Sequence, residues 1–377
     1  MPAARSAQPS FSAYLSKEAY SPPSWIDGKV DLVPSERVRL GMLPTPMHQV
    51  TLPPGSLPDG CELWCKRDDL SGMQMSGNKV RKLEFLMAEA LAQGADTIIT
   101  IGGIQSNHCR ATATAARLLG LDCHLILRTS RTVVDEDPGL VGNLLVERMI
   151  GAHVHTCTKE EYTSNGSEAL TAALADRLRA DGKRPYVVPV GGSNSLGTWG
   201  YIEAMAELEP AARAAGITDI AMACGSGATT AGIALGSRYS GLGAVVHGFG
   251  VCDSPRYFYD FIGGLLDGLG GEVGARKSEV ESLFVAHQAK GGGYAMSTTE
   301  ELETTVAFAE ATGIVLDPVY SGKAMHGLLK MVREDAGAWE GRKILFWHTG
   351  GLLGMYEKAD QLQPLIAGSG RWERMTT

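Results

Sequence analysis

Apolar residues along this chain recur at two alternating periods. Leu83, Leu86, Met87, Ala90 and Leu91 follow helical spacing, and Gly94 closes that helix. A β-branched run over 97–101 comes next and ends in Gly102-Gly103. A small-residue helix over 106–119, then Gly120, then a strand over 123–127 continue the pattern. Residues 143–150 read as helix, 154–157 as strand, 170–178 as helix and 186–190 as strand. Strands at 220–223, 244–251 and 343–347 complete the series, the first leading through a glycine-rich turn into a helix. Short hydrophobic strands alternating with helices predict an α/β fold, with mostly parallel sheets flanked by helices. No fixed-period repeat or low-complexity segment interrupts it. Ligands in such sheets bind at the carboxyl ends of the strands. The glycine-rich and polar turns here fall at those ends, so a small-molecule site is expected.

Composition narrows the partners. The chain has 377 residues, 34 basic and 42 acidic side chains and a net charge of −8, with 44% hydrophobic residues. That length fits two ordinary domains, and the hydrophobic fraction is that of a folded protein. The acidic balance argues against a nucleic-acid partner. No apolar run reaches the roughly eighteen residues of a membrane-crossing helix. The seven cysteines, at 61, 65, 109, 123, 157, 224 and 252, contain no CxxC pair. Their scatter points away from a disulfide framework or a metal site and toward an intracellular, reducing compartment. No acidic residue precedes Glu18, and Arg5, Lys17, Ser and Ala mark the first segment. It reads as an organellar transit peptide or as a plain leader broken by prolines, so the compartment is cytoplasmic or mitochondrial.

Four turns carry candidate chemistry. In SGNKVRK, Lys79, Arg81 and Lys82 stand at a helix N-terminus, against the macrodipole. Ser76 or Asn78 could cap that helix. The cations fit a bound anion, a lysine working as a neutral Schiff-base amine, or a solvated basic turn. In GGIQSNH, the Ser106 helix start offers free N–H groups to a carboxylate, and Ser106 is equally an N-cap. In CGSGATTAG, backbone amides with Ser and Thr hydroxyls form a phosphate cradle that lacks both GxGxxG spacing and a P-loop lysine. In DPVYSGK, Tyr320 is an acid–base candidate or a packing residue. His348 is a catalytic candidate or a structural histidine.

Together these turns resemble the D-cysteine desulfhydrase/1-aminocyclopropane-1-carboxylate (ACC) deaminase family. The likeness runs through SGNKVRKLEFLMAEALAQGAD, TIGGIQSNHCRATATAARLLGLDC, PVGGSNSLGTWGYIEA, ACGSGATTAGIALGS, LDPVYSGKAMHG and FWHTGGLLGMYEK. It implies the two-domain type II fold of pyridoxal 5'-phosphate (PLP) enzymes, which is tryptophan-synthase-β-like. It also implies a homodimer, PLP as cofactor, a small amino-acid substrate and no metal. A leader over 1–38, a large PLP domain from 39–82 and 190–377, and a small domain over 83–189 are expected. By the same resemblance Lys79 carries PLP, and Ser106, Asn107 and His108 hold the substrate carboxylate. Asn78, Asn107, Ser226, Gly227, Ala228, Thr229, Ser321 and Thr349 contact the cofactor, while Tyr320 and Tyr294 are active-site tyrosines.

The chain departs from the deaminases at Ser321, where they carry Glu beside the pyridine nitrogen, and at Thr349, where they carry an apolar residue. A carboxylate partner strengthens the ring's electron demand, whereas a hydroxyl leaves it weaker. Loss of thiolate tolerates the weaker partner better than opening a cyclopropane does. The expected reaction is therefore α,β-elimination on D-cysteine to pyruvate, hydrogen sulfide and ammonia. ACC deamination, an O-acetylserine-type β-replacement and a non-catalytic binding role are the alternatives.

Overall fold

Each buried strand run expected from the sequence enters a sheet. The structure, a computed structural model, describes residues 14–130, 134–367, 370–372 and 374–375. A short antiparallel pair, β1 (Lys17–Ala19) and β2 (Glu36–Val38), opens the described chain. Then come β3 (Met47–Val50), β4 (Glu62–Arg67), β5 (Thr97–Gly103), β6 (Asp122–Thr129), β7 (His153–Thr158) and β8 (Pro185–Val187). The series ends with β9 (Asp219–Cys224), β10 (Val245–Gly250), β11 (Val285–Gln288) and β12 (Lys343–His348).

Two larger sheets result. One has four strands in the order β7-β6-β5-β8, all parallel. The other has six, β11-β10-β9-β12-β4-β3, parallel except for β3 against β4. The four-stranded sheet lies wholly within residues 83–189, and the six-stranded sheet draws on both ends of the chain. Helix α1 (Lys79–Ala92) crosses the 82/83 boundary expected between the domains.

The helices that carry the site are α2 (Asn107–Leu118), α3 (Gly142–Met149), α4 (Lys159–Ala180), α5 (Ser195–Ala215), α6 (Ala228–Tyr239) and α7 (Pro255–Leu269). The α4 span is two helical segments broken at Gly166, whose φ is +80°; Thr158 and Glu161 form a capping box that starts the first, and the second contains the expected 170–178. The strand expected over 186–190 stops at Val187. Pro189 has no N–H to give a ladder, and Gly191 and Gly192 then turn with positive φ. Helices α1, α5 and α6 approach closely through glycine. A Cβ at Gly200 would sit 2.5 Å from the Arg81 backbone, and one at Gly232 2.5 Å from Tyr201.

The first thirteen residues, which hold most of the transit-like signal, lie outside the described residues. The rest of the expected leader is seated on α1 and α5. Tyr20 packs edge-on against Phe85 and Trp199, and Trp199 Nε1 donates to the Leu32 carbonyl at 2.9 Å. Ile26 is fully buried. Among the described residues, no helix is long and apolar enough to cross a membrane.

Candidate active site

Between the carboxyl ends of the two sheets lies a cavity of about 370 Å³. All four turns reach it, through residues 76–79, 102–108, 223–230 and Tyr320, together with Tyr294 and residues 349–350.

Lys79 opens α1 and is buried in the cavity wall. Among the described residues, its amine takes part in no hydrogen bond or ion pair. Burial pushes its pKa down to about 8, against a weaker opposing pull from Cys224, Cys109 and Cys252. The two neighbouring cations do not form a solvated basic turn. Successive helical residues point about 100° apart, and all three faces of this first turn are covered. Arg81 pairs with Asp68 at 2.8 Å and Glu207 at 2.9 Å, and Tyr201 donates to Asp68 at 2.6 Å. Lys66 also pairs with Glu207. Lys82 donates to the Gly191 carbonyl and Ser193 Oγ, both at 3.2 Å.

Neither candidate cap of α1 acts as one. Asn78 Nδ2 donates to Thr229 Oγ1 at 3.0 Å, and Ser76 Oγ donates to the Asp69 carbonyl at 2.9 Å. Gly77 has φ +103°, and a Cβ there would lie 2.6 Å from the Thr349 carbonyl. That glycine lets α1 start directly against the end of β12.

Ser106 is both an N-cap and a cavity residue. Its Oγ accepts from the Cys109 N–H at 3.1 Å, leaving the first amides of α2 facing the cavity. Asn107 also lines the cavity, and its Oδ1 accepts from Asn143 Nδ2 at 3.0 Å. His108 reaches the wall, but its Nε2 is bonded to Thr100 Oγ1 at 2.8 Å. Burial holds its pKa well below the usual histidine range, so it brings no charge to a carboxylate.

The 224–230 turn enters α6 through Gly227 at φ +85°, with no side chain capping the helix. Ser226 Oγ accepts from Ser193 Oγ at 2.8 Å. The Ala228 N–H donates to the Ser226 carbonyl, and its side chain lies outside the cavity lining. Gly191 closes the opposite wall, and a Cβ there would stand 2.4 Å from Ser226 Oγ. Unpaired amides at a helix start, hydroxyls and glycines on both sides make a phosphate cradle. An unpaired buried amine stands in the same cavity. These residues fit PLP.

Tyr320 and Tyr294 share a hydrogen bond at 2.5 Å between their hydroxyls. Burial, then Tyr294, raises the pKa of Tyr320 well above the usual tyrosine value. Ser321, expected to meet the cofactor, is absent from the cavity lining. Its Oγ donates to Asp317 Oδ1 at 2.6 Å, and it helps Asp317 hold the turn that presents Tyr320. Thr349 does line the cavity. His348 is structural: its Nε2 donates to the Val315 carbonyl and its Nδ1 accepts from the Gly350 N–H.

Sequence reasoning did not single out Gly191, Arg128, Tyr162, Cys252, Asp253 or Tyr257, which also line the cavity. Gly191 carried a signal, as one of a glycine pair after a strand. Arg128 carried a weaker one, as a cation at the end of an apolar strand.

Comparison with known proteins agrees with this geometry. A family model described as pyridoxal-phosphate dependent enzyme matches residues 38–350. An Arabidopsis thaliana protein named bifunctional D-cysteine desulfhydrase/1-aminocyclopropane-1-carboxylate deaminase, mitochondrial, is 60% identical over 97% of this chain and 90% of its own length. A Thermotoga maritima protein named putative 1-aminocyclopropane-1-carboxylate deaminase is 36% identical over 86% and 99% of the two chains. The crystal structure of an ACC deaminase homologue superposes with a TM-score of 0.72 at 31% identity, covering 88% of this chain and 96% of that one. The chain belongs to the pyridoxal-phosphate dependent enzymes and, among them, to the type II fold of the D-cysteine desulfhydrase/ACC deaminase family.

Proposed function

We propose that the enzyme catalyses α,β-elimination on D-cysteine, releasing pyruvate, hydrogen sulfide and ammonia. The observation that carries this is the pairing of Lys79 with the Tyr294–Tyr320 couple across one cavity whose lining contains Thr349. Lys79 would hold the cofactor, the 224–230 turn its phosphate, and Asn78 and Asn107 its flank. When bound, PLP supplies the electron-withdrawing ring that makes a Cα–H bond acidic.

The chain's own groups divide the proton work. The α2 N-terminus behind Ser106 takes the substrate carboxylate and so fixes which way the Cα–H points. Lys79 Nζ, with its pKa lowered to about 8, is partly neutral near physiological pH and accepts the Cα proton. Tyr320 Oη stays protonated and is the donor to the departing sulfur. Thr349 is the cavity hydroxyl that favours desulfhydration over ring opening, since Ser321 is committed to Asp317.

Deamination of ACC is the second reading, favoured by the two activities in the Arabidopsis relative's name. One assay separates them: the purified holoenzyme with D-cysteine, L-cysteine and ACC in parallel. Pyruvate and sulfide from D-cysteine are expected. Oxobutyrate from ACC with no sulfide from D-cysteine would reverse the assignment.

A homodimer and a mitochondrial location complete the proposal. The first rests on the family resemblance, and the second on the relative's name and the basic, Ser- and Ala-rich first residues. Light scattering of the holoenzyme and imaging of the tagged full chain test them.

A further inference from the structure

One charged group in the cavity has no task in that mechanism. Arg128 lies near the end of β6, in register with Gly103 of β5, beside the turn that leads to Ser106. Its guanidinium lies 4.7 Å from the centre of the Tyr162 ring, on α4, and 5.9 Å from that of Tyr294. Arg128 is half-buried and lines the cavity. Among the described residues no carboxylate pairs with it and no acceptor takes its N–H groups. Asp253 lines the same cavity without forming an ion pair with it, and Asp253 Oδ1 accepts from the Ser254 N–H. A cation beside ring faces is held by their negative charge without using its N–H donors. A half-buried arginine with unspent donors, facing a ligand cavity, is a receptor for an anion.

Which anion follows from what the other donors already hold. The phosphate cradle lies across the cavity at α6, and the α2 N-terminus serves the substrate's α-carboxylate. Arg128 sits one strand over from that N-terminus, and adjacent strands are about 4.8 Å apart. The side chain also lies next to Tyr294, the hydrogen-bond partner of Tyr320, where the departing group is protonated.

We propose that Arg128 binds a negatively charged group on the substrate's β-carbon. The site then favours D-amino acids whose β-substituent is a carboxylate, sulfinate, sulfonate or phosphate, or a sulfur that gains charge as it leaves. This assignment rests on the elimination reading above. In that reaction the Cα–H bond breaks and its proton goes to the base. Its electron pair forms the Cα–Cβ double bond, and the Cβ–S pair leaves on sulfur beside the guanidinium.

The test uses D-aspartate and its neutral isostere D-asparagine, titrated into the holoenzyme and followed by the absorbance of the bound cofactor. Wild type is expected to bind D-aspartate about tenfold to a hundredfold more tightly, the range of one hydrogen bond to a charged group. In Arg128→Gln the preference falls to near one while D-asparagine binding holds, and Arg128→Lys keeps part of it. A wild-type preference near one overturns the assignment. So does a preference that survives in Arg128→Gln, a parallel loss of both ligands, or binding of neither. Pyruvate release from D-cysteine is measured alongside. If it is absent while the charge preference stands, the desulfhydrase reading fails and the role of Arg128 remains.

Discussion

Lys79 is a functional group that the fold tolerates at a cost, and that cost is measurable. In water a lysine amine has a pKa near 10.5, and in this cavity burial brings it to about 8. The difference is a factor of roughly 300 in proton affinity, or about 3 kcal/mol. Since the pKa is lowered on folding, the unfolded chain holds more protons between pH 8 and 10.5, and stability rises with pH across that window. Below pH 8 both states are protonated and the full penalty of the buried ammonium is present. Replacing Lys79 by Met keeps the unbranched volume and removes the charge. Apo Lys79→Met should therefore be more stable than apo wild type by about 3 kcal/mol at pH 7. The gain should shrink by most of that amount at pH 10. Urea unfolding of the two apo proteins, followed by tryptophan fluorescence at both pH values, reads this directly. A variant less stable than wild type, or a gain independent of pH, would refute desolvation as the cause of the shift.

Three further outcomes follow from the geometry. Tyr320→Phe should lower kcat by about 10²- to 10⁴-fold with cofactor absorbance retained, while Tyr294→Phe costs less; steady-state kinetics on D-cysteine check both. Gly191→Ala places a Cβ 2.4 Å from Ser226 Oγ at a φ of +67°, so PLP affinity should fall at least about tenfold. Fluorescence titration of the apo form measures it, and an unchanged Kd would remove Gly191 from the cradle. Arg81→Met leaves buried Asp68 without its main partner and should destabilise by about 3–5 kcal/mol. Thermal unfolding of the holoenzyme tests this, and a loss below about 1 kcal/mol would contradict it.

The strand-end rule located the cavity from sequence because it depends only on local chemistry. Gly102, Ser106, Gly227 and Thr349 each follow an apolar strand within a few residues, and parallel pairing brings all such ends to one side. The fate of the SGNKVRK cations was not legible in that way. Helical spacing says that Lys79, Arg81 and Lys82 point apart, but not which of those directions is covered. Asp68 is close by in sequence, but Glu207 and the Gly191 carbonyl, which complete the cover, lie more than a hundred residues further on. Ser321 fails for a related reason. Its neighbour Tyr320 faces the cavity, and one helical step turns Ser321 toward Asp317 instead. Arg128 looked like the polar end of a strand, because the rings that frame it come from Tyr162 and Tyr294, far along the chain.

The large sheet has a further consequence, for how the enzyme is made. Its central strand β12 is also the last among the described residues, and it joins β4 to β9. The Asn78 N–H donates to the Thr349 carbonyl just beyond it. A nascent chain therefore carries the lysine from residue 79 onward, and both helix N-termini and the glycine cradle once α6 has begun, without the wall against which α1 starts. Cofactor capture has to await the emergence of β12, and a chain that stops short of it is left with two half-sheets and an exposed amine.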